Sequence, residues 1–171
     1  DAAMTVHPAG IDLVTRPCIC VSEVVTTYKG RAAHASAMPH AGLNALDALV
    51  TAYQAIAQLR QHIKPTERIH GIITKGGVAP NIVPDETEGF FYVRAANAED
   101  LALLKRRVHA CFEAGALATG CTAVIQWAKA DYLDLKTSMP LAGAYEANAR
   151  AIGRDFFPLD KLPSGMAGST D

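Results

Sequence analysis

The sequence predicts an α+β fold of the ferredoxin-like kind, with a β-α-β-β-α-β order, a four-stranded antiparallel sheet and two helices on one face. Three observations predict it. Four segments carry strand patterning, and two longer segments between them repeat apolar residues at helical spacing. The second and third strand segments are separated only by a Gly-, Pro- and Asn-rich stretch, which suits an antiparallel pair. Right-handed crossovers then leave few other ways to connect the six elements.

Residues 18–29 read as the first strand, where Ile19, Val21 and Val25 alternate with Cys20, Ser22, Val24 and Thr26. Gly30 to Pro39 form a loop of small residues with one histidine. Helical spacing runs from Leu43 to Ile63, with Leu46, Leu49, Val50, Tyr53, Ile56, Ala57 and Ile63 on one face, and Pro65 ends it. Residues 67–75 and 87–95 are the second and third strands. Asn97 is a good N-cap, and Glu99 and Asp100 fall in the first turn, where the helix dipole favours acids. Leu101, Leu104, Val108, Cys111 and Phe112 make the buried stripe, and Gly120 suits the helix stop. Residues 121–129 are the fourth strand, with Cys121, Ala123, Ile125 and Trp127 on one face. A further helix, from about Leu141 to Ile152, leads into a tail too poor in apolar residues to build a core of its own.

Composition narrows the function classes. Half of the 171 residues are apolar and 19% are charged, so a core can be buried and disorder is disfavoured. The 31 alanines favour helices packed closely on something. A net charge of −1 excludes a strong electrostatic footprint for nucleic acid or an anionic membrane. No apolar run reaches the ~18 residues of a spanning helix. Cys18, Cys20, Cys111 and Cys121 form no C-x-x-C pair, which points to reduced thiols and a cytoplasmic location. The chain begins at Asp1 and ends at Asp171 without a start Met, and reads as the middle of a longer protein. Its expected division is a stub at 1–17, a complete unit at 18–130, and a helix and loop at 131–171 that return to a neighbouring α/β domain.

Few residues stand out chemically when taken singly. His34 sits in a small-residue loop, where a histidine can serve as acid, base or oxyanion donor, or merely face solvent. Asn81, in GGVAPNIVPD, offers an amide with two donors and one acceptor, as any turn asparagine does. Arg94 closes the apolar run FFYV and calls for a carboxylate, from the protein or from a substrate. His7 can ligate a metal, but one ligand makes no site. His34 and His40 lack metal-ligand spacing, and His62, His70 and His109 read as structural or solvated. The sequence contains no G-x-G-x-x-G, P-loop or G-x-S-x-G motif. The run GMAGS reads as an active-site loop or a linker.

Three longer stretches carry more: KGRAAHASAMPHAGLNALDA (29–48), ITKGGVAPNIVPDE (73–86) and FYVRA (91–95). Together they resemble the lid, or dimerisation, domain of the di-zinc aminoacylase–carboxypeptidase family of metallopeptidases and amidohydrolases. The resemblance is closest to the branch with aminobenzoyl-glutamate hydrolase and the β-alanyl-dipeptide hydrolases. DAAMTVHPAG resembles the end of that family's first catalytic segment, and SGMAGSTD the start of its last.

The resemblance implies roles for these positions. His34 matches a lid histidine that reaches across a homodimer and donates to the developing oxyanion of the scissile carbonyl. Asn81 and Arg94 match residues that hold the substrate's carboxylate, and His7 matches a metal-ligating histidine. The parent would then be a zinc-dependent enzyme, with two zinc ions, that cleaves an amide bond next to a free carboxylate. Its substrates would be of the dipeptide, N-acyl amino acid or aminobenzoyl-glutamate type. The family's zinc-binding Cys/His-x-His-Asp motif, its Glu-Glu pair and its late histidine ligand are missing here, so this chain alone is expected to be inactive. The alternative is a stand-alone dimerisation module from a truncated or degenerate hydrolase gene.

Overall fold

The computed structural model describes residues 3–162. Four strands, β1 (Cys20–Lys29), β2 (Arg68–Lys75), β3 (Glu86–Ala95) and β4 (Thr122–Trp127), form one sheet in the order β2-β3-β1-β4. All three pairings are antiparallel. Helix α1 (Ala45–Leu59) links β1 to β2, α2 (Ala98–Thr119) links β3 to β4, and α3 (Met139–Ala151) follows. The expected order and the antiparallel sheet are found, with α1 and α2 packed side by side over one face.

The element ends have local causes. Leu43 is held in a two-way backbone bridge to Arg31 and cannot join the helix, so α1 starts two residues later than the apolar spacing suggests. The Asn44 side chain caps it by accepting from the amides of Leu46 and Asp47. At the far end, residues 60–62 tighten into a 3-10 turn before Pro65. Asn97 caps α2 by accepting from the Asp100 amide, and Gly120 ends it at φ 71°, a left-handed geometry that glycine takes without steric cost.

The core lies between the helices and the sheet. Val24, Tyr28, Phe91, Val93, Leu49, Ile56, Leu101, Leu104, Val108 and Phe112 are fully or almost fully buried there. The Tyr28 hydroxyl donates to the Phe112 carbonyl oxygen at 2.8 Å, joining β1 to α2. Ala123, Ile125 and Trp127 pack on the same core, as their alternation suggested. The expected face of α1 is largely kept, with Leu49 and Ile56 buried and Tyr53 and Ile63 packed on the core, but Val50 is 44% exposed and Ala45, Ala48 and Ala52 complete the buried stripe. Spacing finds the large apolar residues, but here small ones are buried because α2 comes so close. The flanks touch each other, since the Phe157 amide donates to the Asp12 carbonyl at 2.9 Å and Arg154 pairs with Asp12 at 3.1 Å.

Candidate functional site

The loop after β1 and the loop before β3 run side by side beyond one end of the sheet. β1 and β3 are in register at Lys29 and Glu86, so both loops leave from the same edge. Backbone bonds then join them: Gly30 N–H to the Asp85 carbonyl (2.7 Å), Val83 N–H to Ala33 (2.9 Å) and Ala35 N–H to Asn81 (3.0 Å). A Cβ at Gly30 would run into the Leu43 carbonyl, so the first glycine of the loop permits this close approach. His34 forms a bridge with Ile82, which places it beside Asn81. Both residues are exposed.

The His34 ring is oriented by its own loop. The Ala37 amide donates to Nδ1 at 3.2 Å, and Ser36 Oγ lies 3.3 Å from the same nitrogen. The His34 carbonyl accepts from Met38 at 2.9 Å, closing the turn. A ring nitrogen that accepts carries no proton, so in the neutral imidazole the proton sits on Nε2. This tautomer presents an N–H outward, as an oxyanion donor must.

Arg94 lies elsewhere. It pairs with Val21 of β1 and Arg68 of β2, at the opposite end of the sheet from Lys29 and Glu86. Arg94 lies eight residue steps along β3 from Glu86, or about 27 Å of strand. The structure thus brings His34 and Asn81 together and sets Arg94 apart. Around Arg94 it gathers residues that sequence reading did not connect. Nε donates to His70 Nε2 at 3.3 Å, the guanidinium lies 5.7 Å from the centre of the Tyr92 ring, and His70 meets that ring edge-on at 5.6 Å. His70 lies on an exposed strand, yet its pKa is held below the ordinary histidine range, first by partial desolvation and then by the charges of Arg94 and Arg60. Only the pairing register of β2 and β3 brings these groups together.

Other candidates offer less. His7 Nδ1 lies 2.9 Å from the Pro8 carbonyl on an exposed segment. Among the described residues, no three His, Cys, Asp or Glu side chains converge as a metal site would require. A hydrolytic zinc needs about three protein ligands, so the described residues do not fit one. The GMAGS run and the SGMAGSTD motif lie outside the described residues. All four cysteines are free thiols. Burial and a hydrogen bond to Asp134 push the Cys20 thiol up to about 11, far from a reactive thiolate. A groove beside α2 is lined by Leu101, Lys105, His109, Trp127 and Asp131. Its polar groups engage one another: Lys105 pairs with Asp131 at 2.8 Å, and Trp127 Nε1 donates to His109.

Comparison with known proteins agrees with this architecture. Residues 21–119 match the family model described as "Peptidase dimerisation domain". The chain belongs to that family. The dimerisation domain is of the type found in M20-family dipeptidase- and aminoacylase-like hydrolases. Over all 171 residues it is 41% identical to the Xaa-Arg dipeptidase of Mus musculus and 40% identical to that of Homo sapiens. It spans 40% and 39% of the lengths of those two relatives. It is also 34% identical, over 80% of its length and 29% of the relative's, to one of the subunits of p-aminobenzoyl-glutamate hydrolase of Escherichia coli. Among solved structures, an aminobenzoyl-glutamate utilization protein from Klebsiella pneumoniae superposes with a TM-score of 0.75 at 16% identity, over 95% of this chain and 42% of that one. An amidase of the hydantoinase/carbamoylase family from Burkholderia vietnamiensis gives 0.71 at 15%, over 82% and 34%. At such identities the likeness is one of fold.

Proposed function

We propose that the dimerisation domain is the lid of a longer zinc-dependent amidohydrolase that cleaves an amide bond next to a free carboxylate. In this reading residues 1–17 and 131–171 lead to its catalytic domain, and the site is composite. His34 and Asn81 of one copy meet Arg94 of a second copy on one substrate. The observation that carries the proposal is the separation of about 27 Å along β3 between the Asn81 end and the Arg94 end of the sheet. A dipeptide or N-acyl amino acid spans about 7 Å, so one copy cannot hold it at both ends. β2 is an edge strand with Ile72 61% exposed. If two such edges pair antiparallel about a twofold axis, the Arg68 end of one lies beside the Lys75 end of the other. That brings Arg94 of one sheet toward the His34 and Asn81 loops of the other.

The chemistry assigned to this chain is modest and specific. Nε2–H of His34 donates to the carbonyl oxygen as it gains charge, which assists the transition state more than the ground state. Asn81 and Arg94 orient the substrate by its carboxylate. In this reading His7 supplies at most one ligand, and the other ligands of the two zinc ions lie beyond the described residues. The names of the relatives support dipeptides and aminobenzoyl-glutamate as substrate classes. The free thiols support a cytoplasmic location.

A subunit-mixing experiment on the longer protein, encoded with its neighbouring sequence, tests the reading. At substrate concentrations below KM, His34→Ala and Arg94→Gln are each expected to cut turnover of an N-acyl amino acid by about 10²-fold or more. After unfolding and refolding together in equal amounts, half of the dimers are mixed, and each mixed dimer holds one intact site. About a quarter of the wild-type activity should return. If no activity returns, both residues act from one copy and the composite site is wrong.

A further inference from the structure

We propose that His70 is a positioning residue for Arg94: its Nε2 holds the guanidinium Nε so that the two Nη groups face a substrate carboxylate in one orientation. This deepens the proposed function and rests on the reading of Arg94 as the carboxylate ligand.

The contacts define the device. His70 is paired with Tyr92, and Arg68 with Arg94, across β2 and β3. Ile69, Phe91, Val93 and Ala95 point into the helix-covered core, so strand alternation puts His70, Tyr92 and Arg94 together on the opposite face. There the guanidinium donates its Nε–H to His70 at 3.3 Å and lies over the Tyr92 ring at 5.7 Å. The Tyr92 ring is steadied by the edge of His70 at 5.6 Å and by Phe90 at 5.2 Å. A guanidinium grips a carboxylate either side-on, through Nε and one Nη, or end-on, through both Nη atoms. With Nε given to His70, the side-on mode, which needs Nε, is closed. A fork already held in place loses less freedom on binding, which corresponds to roughly 3- to 10-fold in affinity.

The same contact makes the clamp sensitive to acid. The charged and titratable groups around His70 are Arg94 and Tyr92 on β3, Arg60 in the turn after α1, and Arg68 on its own strand. Partial desolvation and the two guanidinium charges of Arg94 and Arg60 keep His70 neutral at neutral pH, with Nε2 free to accept. Protonation would place a donor against a donor and release Arg94.

The test uses the longer enzyme and steady-state kinetics with an N-acyl amino acid and its carboxamide analogue. His70→Phe keeps a ring against Tyr92 but removes the acceptor, whereas His70→Gln keeps an acceptor. His70→Phe is expected to raise KM for the free acid about 3- to 10-fold while kcat stays within about twofold. It should also flatten the acid-side rise of KM, leave the carboxamide unaffected, and be largely rescued in His70→Gln. If Arg94→Gln raises KM and His70→Phe does not, the inference about His70 is overturned and the Arg94 reading stands. If Arg94→Gln leaves KM unchanged, the Arg94 reading itself fails and takes this inference with it. A second measurement needs no turnover. In the 171-residue chain, the His70 ring is titrated by NMR in wild type and in Arg94→Gln. Its midpoint should rise when the guanidinium is removed, and an unchanged midpoint would also overturn the inference.

Discussion

Replacing Gly115 by alanine puts two physical rules in direct opposition. Gly115 lies inside α2, where helix propensity alone says that alanine should stabilise by about 1 kcal/mol. The packing says otherwise. A Cβ at position 115 would sit well inside van der Waals contact of the Ala48 carbonyl oxygen and 3.0 Å from Ala52 Cβ, both on α1. Neither can yield as a flexible side-chain tip would, so the two helices must separate or shift. Overpacking of this kind costs about 2–3 kcal/mol. Subtracting the propensity gain leaves a net destabilisation of about 1–2 kcal/mol, or roughly tenfold in the unfolding equilibrium. Gly143 in α3 is the control, because a Cβ there meets nothing within 4 Å. Gly143→Ala should be neutral or stabilising by up to about 1 kcal/mol. Urea unfolding followed by circular dichroism measures both. If Gly115→Ala proves as stable as wild type, the close contact of α1 and α2 is not what selects glycine at this position.

Three further outcomes are expected. Burial pushes the Tyr28 hydroxyl from 10.0 up to about 12, so the folded chain keeps a proton that the unfolded chain releases. The associated stability is complete below about pH 10 and is lost as pH rises toward 12. Tyr28→Phe should remove that alkaline step while costing about 1 kcal/mol at neutral pH for the lost bond to Phe112, and a wild-type stability that stays flat from pH 9 to 12 would contradict it. Asn97→Ala should cost about 1 kcal/mol by leaving the Asp100 amide uncapped, with chemical denaturation as the check. In the longer enzyme His34→Ala should lower kcat by about 10²–10³ with KM within a few-fold; a change in KM alone would assign His34 to substrate binding instead.

The order of elements was legible in the chain because its signals are local. Strand alternation, the 3.6-residue period, the Asn97 cap and the Gly120 stop each act within a few residues of themselves. Local signals failed in instructive places. Val50 fits the apolar stripe of α1 yet faces solvent, because the side of α1 that turns inward is chosen by how near α2 can come. Leu43 fits the helix yet is drawn into a bridge with Arg31, twelve residues away in sequence. His34, Asn81 and Arg94 were all visible in the sequence, but not their spacing in three dimensions.

By itself the sequence determined the β-α-β-β-α-β order, most element ends, and the residue types that suit an oxyanion donor and a carboxylate clamp. These follow from short-range sterics, capping and donor chemistry, which are present before the chain is folded. The tertiary structure alone decided that Lys29 meets Glu86, and hence that the His34 and Asn81 loops share one end of the sheet while Arg94 sits at the other. It alone set His70 against Arg94, since a shift of one residue in the β2–β3 register would turn His70 to the opposite face. Strand register is settled by the burial of a whole face at once, not by any neighbour in sequence. The domain that the composition describes therefore carries the His34 and Asn81 loops at one end of its sheet and Arg94 at the other, about 27 Å apart along β3.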